Sequence, residues 1–170
     1  VYGIITSVEM KIYPIAETRI FQAYTFPSTH DGLNAIRNFI HKGLRPAVVR
    51  LYDEVEAVPK ISSYGFEKGF VLLILVFEGN KEMSELEAGM TKEICLGNNG
   101  RYKGELAARE WLETRFSTKK MLDFDAIKGG TADAIEVAAP WDCIENVWRE
   151  MRKALEPMCT VVDCHFSHVY

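Results

Sequence analysis

The chain has 170 residues, of which 48% are apolar and 26% charged, the make-up of an ordinary globular protein. A fold of this length can bury about 70% of its unfolded surface and needs no disulfide to stand. The net charge of -4 argues against nucleic acid as a partner, and the longest apolar run, FVLLILVF over residues 70–77, is too short to cross a bilayer.

Residues 4–13 alternate roughly and are rich in β-branched side chains, which predicts a strand. Residues 18–26 predict a second, ended by a Pro-Ser-Thr-His turn. Over residues 31–41, Leu33, Ile36 and Ile40 share one helical face, and Gly43 is the stop. Residues 46–51 read as a short strand, and residues 53–69 as a short helix with a loop. The 70–77 run is apolar on both parities, which predicts a central strand covered on both faces. Helices are expected over residues 81–96, before Gly-Asn-Asn-Gly, and over residues 105–116.

Residues 133–138 predict another strand. Pro140 then suits the first turn of a helix. That helix carries Ile144, Val147, Trp148, Met151 and Leu155 on one stripe and ends at Pro157. Residues 159–170 read as a final strand. Adjacent strands with intervening helices predict an α+β domain, a largely antiparallel sheet with helices packed on it. Four cysteines at irregular spacing predict free thiols of an intracellular protein. Nothing at the start reads as a signal peptide. Val1 and Tyr170 both adjoin strand-like sequence, which predicts a domain excised from a larger protein.

Five residues invite chemical readings. His165 and His168 lie three apart, so on a strand their rings point to opposite faces and do not share a metal ion. The same parity puts Cys164, Phe166, His168 and Tyr170 on one face, with a phenol beside an imidazole. Such a pair can exchange protons with a substrate, or simply form a polar sheet edge. Arg50 is a lone cation in an apolar strand, and a buried guanidinium needs an anion. Asp53 or Glu54 would serve structurally, and a substrate carboxylate or phosphate would serve functionally. Arg115 lies four residues after Trp111 and shares its helical face, as substrate ligand or as a surface arginine covering an indole. Glu136 is assigned no role.

Taken in order, YGIIT, RPAVVRLYDE, LVFEG, WLETR, IEVAAPWD and SHVY resemble the C-terminal part of FAD-linked oxidases of the vanillyl-alcohol-oxidase type. The alkyldihydroxyacetonephosphate synthase branch is the most similar. The resemblance implies that residues 1–14 close an FAD-binding domain, with the backbone of Gly3, Ile4 and Ile5 touching the cofactor. It implies that residues 15–170 form a ferredoxin-like cap, or substrate, domain truncated at its C-terminus. Tyr170 would take and return a proton, Arg50 would act near the flavin, Arg115 would hold a substrate phosphate, and His168 would line the substrate site.

FAD is implied for the full-length protein rather than for this piece alone. The implied partners are an anionic small-molecule or lipid-like substrate and the remaining FAD-binding domain, with a homodimer also compatible. The compartment would be peroxisomal in a eukaryote and cytoplasmic or peripheral to the membrane in a bacterium. A tyrosine of ordinary pKa, about 10, is a poor base, but neighbouring arginines favour the phenolate. Two rival readings stand beside the synthase: an FAD-linked 2-hydroxy-acid dehydrogenase, and a non-enzymatic α+β binding domain.

Overall fold

The computed structural model describes residues 3–67, 70–117 and 133–169. Its elements run β1 (Thr18–Phe26), α1 (Thr29–His41), β2 (Val48–Tyr52), α2 (Glu54–Ser63), β3 (Val71–Gly79), α3 (Lys81–Gly97), β4 (Arg101–Tyr102), α4 (Leu106–Thr114), α5 (Ile144–Leu155) and β5 (His165–Phe166). The five strands form one sheet in the order β4-β1-β3-β2-β5, every neighbouring pair antiparallel. β3 lies between β1 and β2, so those two run parallel and α1 is the crossover between them. The expected α+β class and antiparallel sheet are both present.

Period-two alternation explains why the sheet is covered on both sides. On β3, Val71, Leu73, Leu75 and Phe77 face a cluster with Phe26, Ile36, Phe39 and Leu51, under α1 and α3. Leu72, Ile74 and Val76 face a second cluster with Phe21, Tyr52, Ala57, Ile61 and Ala108, under α2 and α4. β3 is thus the apolar spine read in the 70–77 run. Each such side chain taken out of water is worth roughly 1.5–3 kcal/mol.

The helix starts are set by short polar caps. The Ser28 hydroxyl accepts from Asp31 N at 3.1 Å, Asp53 Oδ1 accepts from Val55 N and Glu56 N at 3.1 and 2.9 Å, and Asn80 Oδ1 accepts from Met83 N at 3.2 Å. At Gly43 the chain leaves α1 with a φ of 85°, which glycine adopts without strain. α5 lies outside the two packed layers. It is amphipathic as expected, yet none of its residues is fully buried. It is held by Trp148 against Phe166, by His30 Nδ1 to Glu145 Oε2 at 2.7 Å, and by Asp53.

Three strand expectations are corrected. Residues 4–13 are extended but pair with no described strand, leaving Ile4 and Ile12 90% and 88% exposed. Residues 133–138 are likewise extended and exposed. Alternation encodes a half-buried strand only where a ladder partner exists, and no described residue supplies one. The final segment pairs with β2 only at His165 and Phe166, opposite Tyr52 and Leu51. Beyond Phe166 the alternation lapses, since Val169 packs on the same cluster as Phe166 instead of facing away from it. The two-residue β4, beside Tyr24 and Thr25 of β1, was not anticipated.

Candidate substrate groove

β2 aims Val48, Arg50 and Tyr52 at the α2/α4 side of the sheet, because Val49 and Leu51 are claimed by the opposite cluster. Arg50 therefore emerges in an aromatic setting. Its guanidinium carbon lies 5.3 Å from the centroid of Tyr52 and 5.9 Å from that of Trp111. Its Nε is buried and has no hydrogen-bond partner among the described residues. Asp53, one of the two structural partners considered for Arg50, is engaged elsewhere: its Oδ2 lies 3.7 Å from Arg152 Nη1 and accepts from Trp148 Nε1 at 3.4 Å. Glu54 pairs with Arg152 as well, at 3.6 Å.

Arg115 follows the last residue of α4 and reaches back one turn. Its guanidinium carbon lies 4.9 Å from the centroid of Trp111 and 4.6 Å from that of Phe116. The helical spacing from Trp111 thus holds, and one indole carries both arginines. Each contact is worth about 0.5–1 kcal/mol where solvent reaches it, so Trp111 orients the two cations without neutralising either.

Trp111 also lines a groove between α2 and α4, with a cavity volume of about 380 Å³, together with Tyr52, Lys60, Tyr64, Ile74 and Glu110. The floor is apolar. The Tyr64 hydroxyl donates to Glu110 Oε2, and burial together with that bond pushes the Tyr64 phenol up from its ordinary pKa. Tyr52 is pushed up by burial as well, although the Arg50 charge works against the shift. Neither phenol is a ready base.

Behind Tyr52 sits Glu56, whose side chain is 16% exposed. Oε2 lies 2.9 Å from His165 Nδ1 and Oε1 lies 3.3 Å from Lys60 Nζ. Burial alone would raise its pKa. The His165 hydrogen bond, Lys60, and the charges of His165 and Arg50 outweigh burial and hold it below the usual carboxylate range. The ammonium of Lys60 also stands 4.4 Å from the Tyr52 centroid.

The structure therefore brings Arg50 and Arg115 together. His168 is exposed, and its polar contacts among the described residues are Ser167 Oγ at 2.9 Å and Glu136 Oε1 at 3.8 Å, away from the groove lining. Tyr170 lies outside the described residues. Gly3, Ile4 and Ile5 are exposed in an extended segment, and nothing approaches within 4 Å of where a Cβ on Gly3 would stand. Their open backbone fits a segment lying against a flat ligand, while the groove is too small to enclose a flavin dinucleotide. Lys60, Tyr52 and Glu56 were not singled out from sequence. The clues were Arg50 and Tyr52 at strand spacing, and Glu56 and Lys60 at helical spacing.

Residues 15–170 match the family model for FAD linked oxidases, C-terminal domain. The chain belongs to this family. Among curated relatives, the alkyldihydroxyacetonephosphate synthase of Trypanosoma brucei brucei is 21% identical over 99% of this chain and 32% of its own length. That of Caenorhabditis elegans is 22% identical over 91% of this chain and 30% of its own. An FAD-linked oxidoreductase of Escherichia coli K12 is 24% identical over 98% of this chain and 36% of its own. The chain thus spans about a third of the relatives it matches. A solved alkyldihydroxyacetonephosphate synthase superposes with a TM-score of 0.80 at 20% identity, over 95% of this chain and 35% of that one. At that identity the likeness speaks for the fold of this FAD-linked oxidase domain.

Proposed function

We propose that the chain is the substrate-facing cap domain of an FAD-dependent enzyme resembling alkyldihydroxyacetonephosphate synthase, acting on a small or lipid-like anionic substrate. The observation that carries this reading is Arg50. A buried guanidinium nitrogen without a partner, beside a second arginine on the same indole, is a vacancy for an anion. The apolar groove floor beside it suits the uncharged part of such a molecule.

In this reading Arg50 and Arg115 orient the anionic group by hydrogen bonds in the plane of each guanidinium. Their charge also favours the phenolate of Tyr170, which lets it hold and return a proton near neutral pH. His168 supports the substrate beside it. Residues 1–14 belong with the cofactor-binding part of the protein, and the exposed backbone of Gly3, Ile4 and Ile5 faces the flavin. FAD, held mainly by that other part, would supply the electron chemistry. For the synthase-type reaction, a fatty alcohol replaces the acyl group of an acyl-dihydroxyacetone phosphate, giving an ether and releasing the fatty acid.

The full-length protein is expected to be yellow, and to form ether product from a fatty alcohol and an acyl-dihydroxyacetone phosphate. A colourless protein without product would sink the reading. Likeness to an FAD-linked oxidoreductase supports a second reading, a 2-hydroxy-acid dehydrogenase whose arginines hold a carboxylate. Bleaching of the yellow colour by D-lactate or glycolate, without ether formation, would select it. In either case Tyr170→Phe should lower turnover roughly 100-fold. Near-normal turnover removes Tyr170 from the site.

A further inference from the structure

Lys60 stands apart from the arginines in sequence but not in space. Its ammonium and the guanidinium of Arg50 reach the same Tyr52 ring, at 4.4 and 5.3 Å. It lines the groove that Trp111 also lines. Its side chain is 34% exposed, so it is neither lost to solvent nor locked in the core. Its carboxylate partner, Glu56, is only partly available to it: the contact is long, at 3.3 Å, and Glu56 Oε2 is already engaged by His165 at 2.9 Å.

We infer that Lys60 is a specificity-determining residue of the groove, supplying the further positive charge that favours a doubly charged oxyanion over a singly charged one. The inference rests on the reading of this groove as an anion site. Arg50, Arg115 and Lys60 count three positive charges around the groove; Glu56 cancels one of them. The surplus matches a phosphate monoester dianion and exceeds what one carboxylate neutralises. Lysine suits this task, since its flexible stem moves a compact point charge by rotamer change. An incoming dianion needs only to draw the ammonium from its long contact with Glu56, which keeps His165 as a partner.

The test is calorimetric titration of the full-length protein with inorganic phosphate and with acetate at one ionic strength and pH 8. Lys60→Met should weaken phosphate about tenfold, the scale of one charge-assisted hydrogen bond, and acetate less than about twofold. Lys60→Arg should restore most of the loss. Arg50→Met should weaken both anions. If Lys60→Met binds phosphate as the parent does while Arg50→Met loses both anions, the role of Lys60 is overturned and the groove stands. Equal weakening of phosphate and acetate in Lys60→Met also overturns it, because a general field carries no selectivity. If Arg50→Met binds both anions unchanged, the groove itself is not the anion site and the inference goes with it.

Discussion

Arg50 on β2 and Arg115 at the end of α4 hold their guanidinium groups over the ring of Trp111, at 5.9 and 4.9 Å from its centroid. Two like charges brought to one place repel, and neither has a hydrogen-bonded carboxylate of its own at the indole. Aromatic support offsets part of that repulsion and fixes the geometry. An anion entering between them would relieve the rest. The packing of α4 on β1 and β3 is therefore what joins the cations, since Ala107 and Ala108 let the helix approach the sheet closely enough to bring Trp111 against Arg50.

Replacing Trp111 should accordingly affect ligand affinity more than stability. Trp111 is only half-buried, so Trp111→Leu keeps most of the apolar cover on the sheet. It removes both cation–ring contacts, together worth about 1–2 kcal/mol. The full-length protein should bind inorganic phosphate about tenfold more weakly, with a melting temperature lowered by only a few degrees. Calorimetry and thermal scanning read the two effects separately. A large fall in melting temperature with unchanged affinity would make Trp111 a packing residue only.

Asp53 makes the opposite case, a buried charge whose task is structural. It is fully buried and caps α2 through Oδ1. Oδ2 meets Trp148 and Arg152 of α5, and its backbone N–H donates to Cys164 O at 2.9 Å. Loss of a cap costs about 1 kcal/mol, and stranding a partly buried partner adds to it. Asp53→Ala should destabilise the protein by about 2–4 kcal/mol in denaturant unfolding. Asp53→Asn retains the cap acceptor and should lose markedly less. Equal losses would show that the cap contributes little.

Close packing sets a third expectation. A Cβ on Gly32 of α1 would stand 2.7 Å from Leu51 Cδ1, and Leu51 is itself fully buried on β2. Alanine improves helix propensity by up to about 1 kcal/mol, but forcing a core leucine aside costs roughly 1–3 kcal/mol. Gly32→Ala should therefore be neutral to destabilising by about 2 kcal/mol in denaturant unfolding. Gly32→Ala with Leu51→Val should recover part of that. A more stable single variant would show that Leu51 has room to move.

These examples mark what the sequence made legible. The β3 spine, the amphipathic helices and the pairing of Trp111 with Arg115 follow from local periodicity, and all three hold. Residues 4–13 and 133–138 carry strand-like alternation too, but alternation records a preference for a ladder and says nothing of where its partner lies. The partners of Arg50 depend on long-range packing: Asp53 and Glu54 are its neighbours in sequence, yet α5 claims both through Arg152. Lys60 escaped notice because a lysine on a helix surface has no distinguishing local signal. Only the shared Tyr52 ring gives it a place.

Acid stability offers a last separation, because Glu56 and Asp163 are shifted in opposite directions. Glu56 is held below its ordinary value: burial opposes its charge, but His165, Lys60 and Arg50 more than compensate. The folded state thus binds fewer protons there than the unfolded chain. Its stabilisation is fully present above the unfolded pKa, about 4.3, and is lost as pH falls through the lower folded value. Asp163 is raised, first by burial and then by the Glu56 and Asp53 charges. Its ionised form costs stability at neutral pH, and that cost disappears as pH falls through the raised value and then below the unfolded pKa. Glu56→Gln should lower stability near pH 7 and flatten the loss on acidification. Asp163→Asn should raise stability near pH 7 and steepen that loss. Urea unfolding followed from pH 7 to pH 3 distinguishes them. Parallel profiles for both variants would mean that these carboxylates do not govern the acid limb.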